Sequence, residues 1–396
     1  VKLSRPALLA LEDGSLLEGL AFGHSSHSAV FTVGEVVFNT SMTGYEEILT
    51  DPSYAGQLIA LTYPHIGNVG INLDDRESNA IFARGLIIRQ LPLRVSNWRQ
   101  QTTLEQFLVQ HRILGISDID TRHLTHLLRE KGALRGCIFS APTIGEQEIE
   151  KALAIARGFS GLQGLDLAQE VSTSTSYLWQ EGGMWSRDKR TCNAKGGFHV
   201  VAYDFGIKKT ILRRLQEANC VITVVNAKTT AQEVMELDPD GIFLSNGPGD
   251  PEPCDYAIAA IQSFLQAKIP LFGICLGHQL LALACNAKTV KMKVGHHGAN
   301  HPVRSLKNQR VLITSQNHGF TVDDNNLPDC LEVTHRSLFD NTIQGLQHKT
   351  APAFSFQGHP EAGPGPNDAT GLFDAFVQSM INYQAKREKT LLTAME

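Results

Sequence analysis

The sequence predicts an α/β protein in two parts: a doubly wound, mostly parallel sheet over residues 198–388 and a separate α+β or β-rich domain over residues 1–171, with 172–197 as a linker. Three observations predict this. At 396 residues the chain exceeds the size at which one core usually stops growing, so two domains are expected. The second half alternates apolar strand-like runs with amphipathic helical ones, the rhythm of parallel strands covered on both faces. The first half instead sets short β-prone runs between turn residues.

In the first half the runs are "ALLALEDGS", "GEVVFNT", "QLIALTYP" and "ARGLIIRQ". A helix is expected in "DTRHLTHLLREKG", where Leu124, Leu127 and Leu128 form one stripe and Gly132 is placed to end it. The segment 172–197 is rich in Ser, Thr and Gly and lacks periodicity, as a linker would. From His199 the order reads strand "HVVAYDF", helix "IKKTILRRLQEA", strand "VITVV", strand and loop "DGIFLSNGPGDP", helix "AIAAIQSFLQA" and strand "IPLFGI". Two further runs, "VLITSQNHGFTV" and "PAFSFQGHPEA", read as strands ending in polar loops. Functional loops are expected at the carboxyl ends of such strands.

Composition excludes several classes of function. A net charge of −5 leaves no basic footprint for nucleic acid or an anionic membrane surface. No apolar run is long enough to span a bilayer, and the first residues carry no export signal, so a soluble cytoplasmic protein is expected. The chain opens on Val1, and an initiator methionine is expected ahead of it. Seven cysteines, Cys137, Cys192, Cys220, Cys254, Cys275, Cys285 and Cys330, are scattered without a C-x-x-C pair, which fits free thiols.

One thiol stands apart. Cys275 lies between Gly273 and Gly277, after the strand "IPLF" and before the helix "HQLLALA". G-x-C-x-G has the form of a nucleophile elbow, in which small flanking residues permit a sharp strand-to-helix turn that presents the nucleophile. The helix start directs amide N–H groups and its positive end toward the sulfur, favouring thiolate, the reactive form. Cys285 and Cys220 read as ordinary small apolar residues.

A cysteine nucleophile needs a base, and the base an orienting group. "FSFQGHPEAGPGP" supplies His359 and Glu361 at the end of an expected strand, where both can project to one side. The competing bases are His278, expected to point away from the sulfur, His318, and the trio His296, His297 and His301 in "GHHGANH". Without a clustered carboxylate or thiol the trio reads as a turn followed by a solvated strand, and no metal site is expected. In "LSNGPGDPEPCDY", Gly247 or Gly249 could turn a backbone N–H toward a developing oxyanion, joined by the N–H of Leu276. No Walker lysine follows these glycines.

Cys275, His359 and Glu361, together with "SNGPGDP", "GICLGHQ" and "GHPEA", resemble the class I (triad) glutamine amidotransferases. The first half narrows the resemblance. "GEVVFNTSMTGYEEILTDPSYAGQLIALTYPHIGNVGIN" and "DIDTRHLTHLLREKGALRGCI" are similar to the small-chain family of carbamoyl phosphate synthetases, over nearly the whole length. Gly363 departs from the pattern, standing where many relatives have serine.

The resemblance implies a flavodoxin-like C-terminal fold and hydrolysis of L-glutamine to glutamate and ammonia. Cys275 would attack the side-chain amide, His359 would shuttle the proton and Glu361 would orient it. Glutamine contacts would fall on Ser53, Gly247, Gly249, Leu276, Gln279, Asn317, Gly319 and Phe320. Gln279 would meet the amino-acid end of the substrate, and Ser53 would set the first domain against the pocket. The implied partner is the carbamoyl phosphate synthetase large chain, in a heterodimer or higher oligomer. That chain would bind ATP and divalent metal, so no cofactor is expected on this one. Two rivals stand beside this reading: a free-standing cysteine hydrolase on the same scaffold, and a non-catalytic scaffold that kept the fold.

Overall fold

A computed structural model describes residues 5–26, 28–182 and 196–395. The chain divides into two compact units: Val1–Gln163 with Met292–Ala299 and Gly363–Gly365, and Gly164–Lys291 with Asn300–Ala362 and Pro366–Glu396. Among the described residues no helix is long and apolar enough to cross a membrane.

The first unit is built on strands β1 (Arg5–Leu11), β2 (Leu16–Gly23), β3 (Val30–Asn39), β4 (Gln57–Leu61), β5 (Gly85–Ile87), β6 (Leu114–Ser117) and β7 (Leu134–Ser140). They close into a barrel in the order β1-β2-β6-β5-β4-β3-β7, with β1 antiparallel to β7. Its helices are α1 (Tyr45–Thr50), α2 (Leu104–Gln110), α3 (Thr121–Lys131) and α4 (Glu146–Gly158). Strand side chains alternate between faces, and here both faces are apolar. Leu58 and Ala60 of β4 join one buried cluster, while Ile59 and Leu61 join another. The helix expected at 120–132 is α3. The Asp120 side chain accepts from the His123 N–H at 2.9 Å, and Gly132, at φ 94°, caps the far end.

The second unit contains strands β8 (Tyr177–Leu178), β9 (Phe198–Asp204), β10 (Cys220–Asn226), β11 (Gly241–Leu244), β12 (Leu271–Ile274), β13 (Thr289–Ser305, whose middle is counted with the first unit), β14 (Val311–Val322), β15 (Leu331–Ser337), β16 (Ile343–His348) and β17 (Ala353–Phe356). The sheet runs β14-β13-β15-β16-β17-β12-β11-β9-β10-β8. Its core, β17-β12-β11-β9-β10, is parallel, and β8 and β16 flank it antiparallel. Six helices belong to this unit among the described residues: α5 (Leu167–Val171), α6 (Lys209–Glu217), α7 (Ala231–Glu236), α8 (Asp255–Ala267), α9 (Leu276–Ala284) and α10 (Gly371–Met395). The alternation of strand residues explains the layers. Val201, Tyr203, Ile242 and Leu244 pack into one cluster with residues of α7, α8 and α9. Val200, Ala202, Phe243 and Phe272 pack into another with residues of α6 and α10.

Of the segment read as a linker, residues 183–195, Cys192 included, lie outside the described residues. Its first part is built into the sheet. β8 pairs with β10, and Trp179, 5% exposed, donates its indole N–H to Gln216 at 3.0 Å. A single apolar anchor among polar residues leaves no periodic signal, which is why composition alone reads this stretch as loop.

Candidate active site

The site lies in the second unit, where β9, β11 and β12 end. Cys275 follows β12 directly and caps the start of α9, at φ 53° and ψ −103°. A non-glycine residue at positive φ is costly and persists only where the surroundings hold it. Here the Cys275 N–H donates to Phe356 O at 2.9 Å, and its carbonyl accepts from the His278 and Gln279 N–H groups. The flanking glycines are steric necessities. A Cβ on Gly273 would sit 2.5 Å from Gly277 O, and one on Gly277 would collide with the Leu244 backbone. Gly277→Ala is therefore expected to destabilise the fold by about 2 kcal/mol or more, as an overpacked rigid site does. A urea midpoint equal to that of the unsubstituted chain would refute the steric argument.

His359 lies beyond β17, bridged to Ser315 of β14. Its Nδ1 donates to Glu361 Oε1 at 2.7 Å, and the two side chains are 2% and 0% exposed. Both residues lie in the loop just past the end of β17. A buried lysine that the sequence reading passes over completes the arrangement. Lys208 Nζ donates to Glu361 Oε1 at 3.0 Å and to Ala362 O at 2.8 Å. Lys208 is the residue before α6, in the loop leaving β9. Such a position, at the carboxyl end of a parallel strand, was the available signal.

These charges fix the protonation of the site. Burial alone would push His359 down, but the Glu361 carboxylate and the neighbouring Cys275 outweigh it and raise the imidazole to about 10. Burial would likewise push Glu361 up, but Lys208 and then His359 hold it down at about 2. At neutral pH the group is an imidazolium on a carboxylate. His359 Nε2 has no hydrogen bond of good geometry, although Cys275 is close enough to favour its proton. Contacts of this kind tighten only when substrate binds. The Cys275 Sγ–H donates to Asn317 O at 3.5 Å. Cys275 is buried, at 2% exposure.

The competing histidines have other engagements. His278 is fully buried, with Nδ1 on Ser355 Oγ at 2.9 Å, and burial pushes it down to about 3. His318 Nδ1 donates to Phe320 O at 2.7 Å. His296, His297 and His301 correct the expectation of a turn and a solvated strand. They lie within β13, and all are buried.

The remaining candidate residues fall as follows. A Cβ on Gly247 would strike Phe205 O and approach the Leu276 side chain at 2.7 Å, and Gly249 holds φ 87°. The loop they share is tied to the cysteine turn by the Gly277 N–H donating to Ser245 O at 3.0 Å. Gln279 spends its Nε2 donors on Phe320 O, 2.9 Å, and Gln357 Oε1, 3.1 Å, leaving Oε1 as what it can offer a ligand. Gly319 has open space where a Cβ would be, so packing does not require a glycine there. Phe320 is buried, and its carbonyl serves both Gln279 and His318. Ser53 belongs to the first unit, buried, with its N–H on Asp51 Oδ1 at 2.9 Å.

Comparison with known proteins accounts for both halves. Residues 201–379 match the family model "Glutamine amidotransferase class-I", and residues 9–138 match "Carbamoyl-phosphate synthase small chain, CPSase domain". The carbamoyl phosphate synthase small chain of Pectobacterium atrosepticum is 57% identical over 385 residues, covering 96% of this chain and 99% of that one. The protein of the same name from Pasteurella multocida is 58% identical over 379 residues, covering 96% of each. With one family model on each half and such relatives over nearly the full length, the chain belongs to the carbamoyl phosphate synthase small-chain family.

Proposed function

We propose that this chain is the glutaminase subunit of a carbamoyl phosphate synthase, hydrolysing L-glutamine through a thioester on Cys275 and passing ammonia to a large chain. The observation that carries the chemical part is the buried Lys208–Glu361–His359 array beside a cysteine held at positive φ on a strand-to-helix turn. That turn has the character of a nucleophile elbow. In chain order the parallel strands run 2-1-3-4-5, which supports a flavodoxin-like sheet with its site where the order reverses.

The thiolate of Cys275 attacks the carboxamide carbon. The oxyanion is received by the N–H of Leu276 and by the loop of Gly247 and Gly249. His359, already protonated, gives its Nε2 proton to the departing nitrogen, and ammonia leaves. The neutral ring then takes a proton from water as hydroxide attacks the thioester, which restores thiolate and imidazolium and frees glutamate. Splitting the hydrolysis of a poor electrophile into acylation and deacylation is the reason to use sulfur. Gln279 Oε1 and the Asn317–Phe320 segment hold the amino-acid end. ATP and divalent metal act on the large chain, which makes carbamoyl phosphate from ammonia and bicarbonate for arginine and pyrimidine synthesis.

The reading is tested with a chloroketone analogue of glutamine. One label per chain is expected, on the peptide that holds Cys275, with protection by glutamine. A folded chain that stays unlabelled, or is labelled at another cysteine, would overturn it.

A further inference from the structure

At the opposite end of α9 from Cys275 a second sulfur cluster stands outside the chemistry above. Cys285 caps the carboxyl end of α9, the helix that begins at Cys275. Its sulfur, the sulfur of Cys330 and a ring nitrogen of His348 lie within 4.8 Å of one another. Cys285 is buried, whereas Cys330 is part-exposed. Three such groups invite a metal, but the second contact of the imidazole argues otherwise. His348 Nδ1 accepts the Ala351 N–H at 2.9 Å and the Thr350 N–H at 3.2 Å. The neutral ring must then carry its proton on Nε2, whereas a metal-bound histidine uses one nitrogen as ligand and donates from the other. With Nδ1 occupied as an acceptor and Nε2 protonated, the neutral ring offers no free lone pair to a metal, which suits a thiol pair better than a closed metal site.

A second feature adjoins it. A groove of about 720 Å³ is lined by His348 with Lys268, Lys349, Lys386 and Arg387, and among the described residues no acidic side chain lines it. Arg387 is paired with Asp238 at 2.8 Å, which leaves an excess of cationic lining in a chain of net charge −5. The groove and the sulfurs are joined through the backbone as well, since the Lys349 N–H donates to Cys330 O at 2.9 Å.

We propose that Cys285 and Cys330 form a redox-active dithiol whose oxidant is a small anionic disulfide of the glutathione class, drawn in by the basic groove. The part-exposed Cys330 reacts first. Its thiolate attacks one sulfur of the oxidant, whose S–S bond breaks and releases one small thiol, protonated from solvent. Cys285 then gives up its proton to solvent and attacks the Cys330 sulfur. The mixed disulfide breaks, and the second small thiol leaves. Two protein thiols are oxidised to one disulfide, and one small disulfide is reduced to two thiols. The order agrees with burial, which pushes the Cys285 thiol up to about 12 and makes it the slower nucleophile.

The test incubates the full chain, in a Cys275→Ser background, with oxidised and reduced glutathione at several ratios and reads intact mass and peptide maps. The expected result is loss of two hydrogens per chain and a linked peptide pair containing Cys285 and Cys330. Cys285→Ser should stall with one glutathionyl group on Cys330, and Cys330→Ser should acquire none at Cys285. Lys349→Glu, or higher salt, should slow bridging several-fold. A folded chain that keeps both thiols free in excess oxidised glutathione would overturn the proposal, as would bridging at equal speed by a cationic disulfide such as cystamine. Zinc shielding both thiols from alkylation at equimolar concentration would also overturn it, in favour of a metal site. The unsubstituted pair decides the matter even if a variant fails to fold.

Discussion

Cys275→Ser, assayed with the large chain, is expected to abolish glutamine-dependent carbamoyl phosphate synthesis while leaving synthesis from added ammonia intact. The loss should be on the order of 10⁴-fold or more, as for removal of a nucleophile from other catalytic arrays. The electrostatics of the site make so large an effect reasonable. A serine hydroxyl must be deprotonated as it attacks, and the group placed to receive that proton, His359, is raised to about 10 by its pairing with Glu361, against the opposing effect of burial. It already holds its proton at neutral pH. A sulfur nucleophile escapes this limit because a thiol gives up its proton far more easily than a hydroxyl and does not need His359 to receive it during the attack. The substitution is nearly isosteric, so the turn held by Gly273 and Gly277 should survive. Synthesis measured under both nitrogen donors separates the outcomes. Loss of both activities would make Cys275 a structural residue, and glutamine-dependent synthesis within about tenfold of the unsubstituted enzyme would remove it from the chemistry.

The same residues show which features of this chain local sequence could carry. The parallel core was legible because its strands are short apolar runs separated by amphipathic helices, as in "HVVAYDF" followed by "IKKTILRRLQEA", and the two apolar layers follow from strand alternation. The cysteine turn was legible for a related reason: its glycines are demanded by contacts only a few residues away. Barrel closure in the first unit was not. It depends on β1 meeting β7 at pairs such as Leu9 with Ile138, and neither run announces a partner more than a hundred residues distant. Lys208 was missed on the same ground. Its meaning comes from Glu361, 153 positions along the chain, and a lysine in "IKKTILRR" otherwise reads as the solvated face of a helix. The histidines of "GHHGANH" misled in the opposite direction, because polar residues with two glycines look like a turn, whereas a long strand buries them.

Lys208→Met should cost both stability and turnover, and the two losses should carry different pH signatures. Lys208 is 2% exposed and its partner Glu361 is not exposed at all. Removing one member of a buried ion pair leaves the other undercompensated, typically at about 3–5 kcal/mol. Methionine fills the volume, so cavity formation adds little. Glu361 is held at about 2 against a usual value of 4.5. Its contribution to stability is therefore complete above pH 4.5 and is lost as pH falls toward 2. Without the lysine the folded carboxyl moves back toward its ordinary value, so the contribution shrinks and acid unfolding should begin at a higher pH. His359 behaves with the opposite sign. Its raised value gives stability that is complete below 6.5 and is lost as pH rises through about 10. Because Lys208 opposes the proton on His359, its removal should carry that alkaline limit further up. A tighter-held proton is a poorer acid for departing ammonia, so kcat for glutamine hydrolysis should fall while KM changes little, since Lys208 sits behind Glu361. Urea midpoints from about pH 2 to about pH 11, with steady-state rates wherever the chain stays folded, check both parts. An acid transition and a kcat equal to those of the unsubstituted chain would reduce Lys208 to a packing residue with an incidental charge.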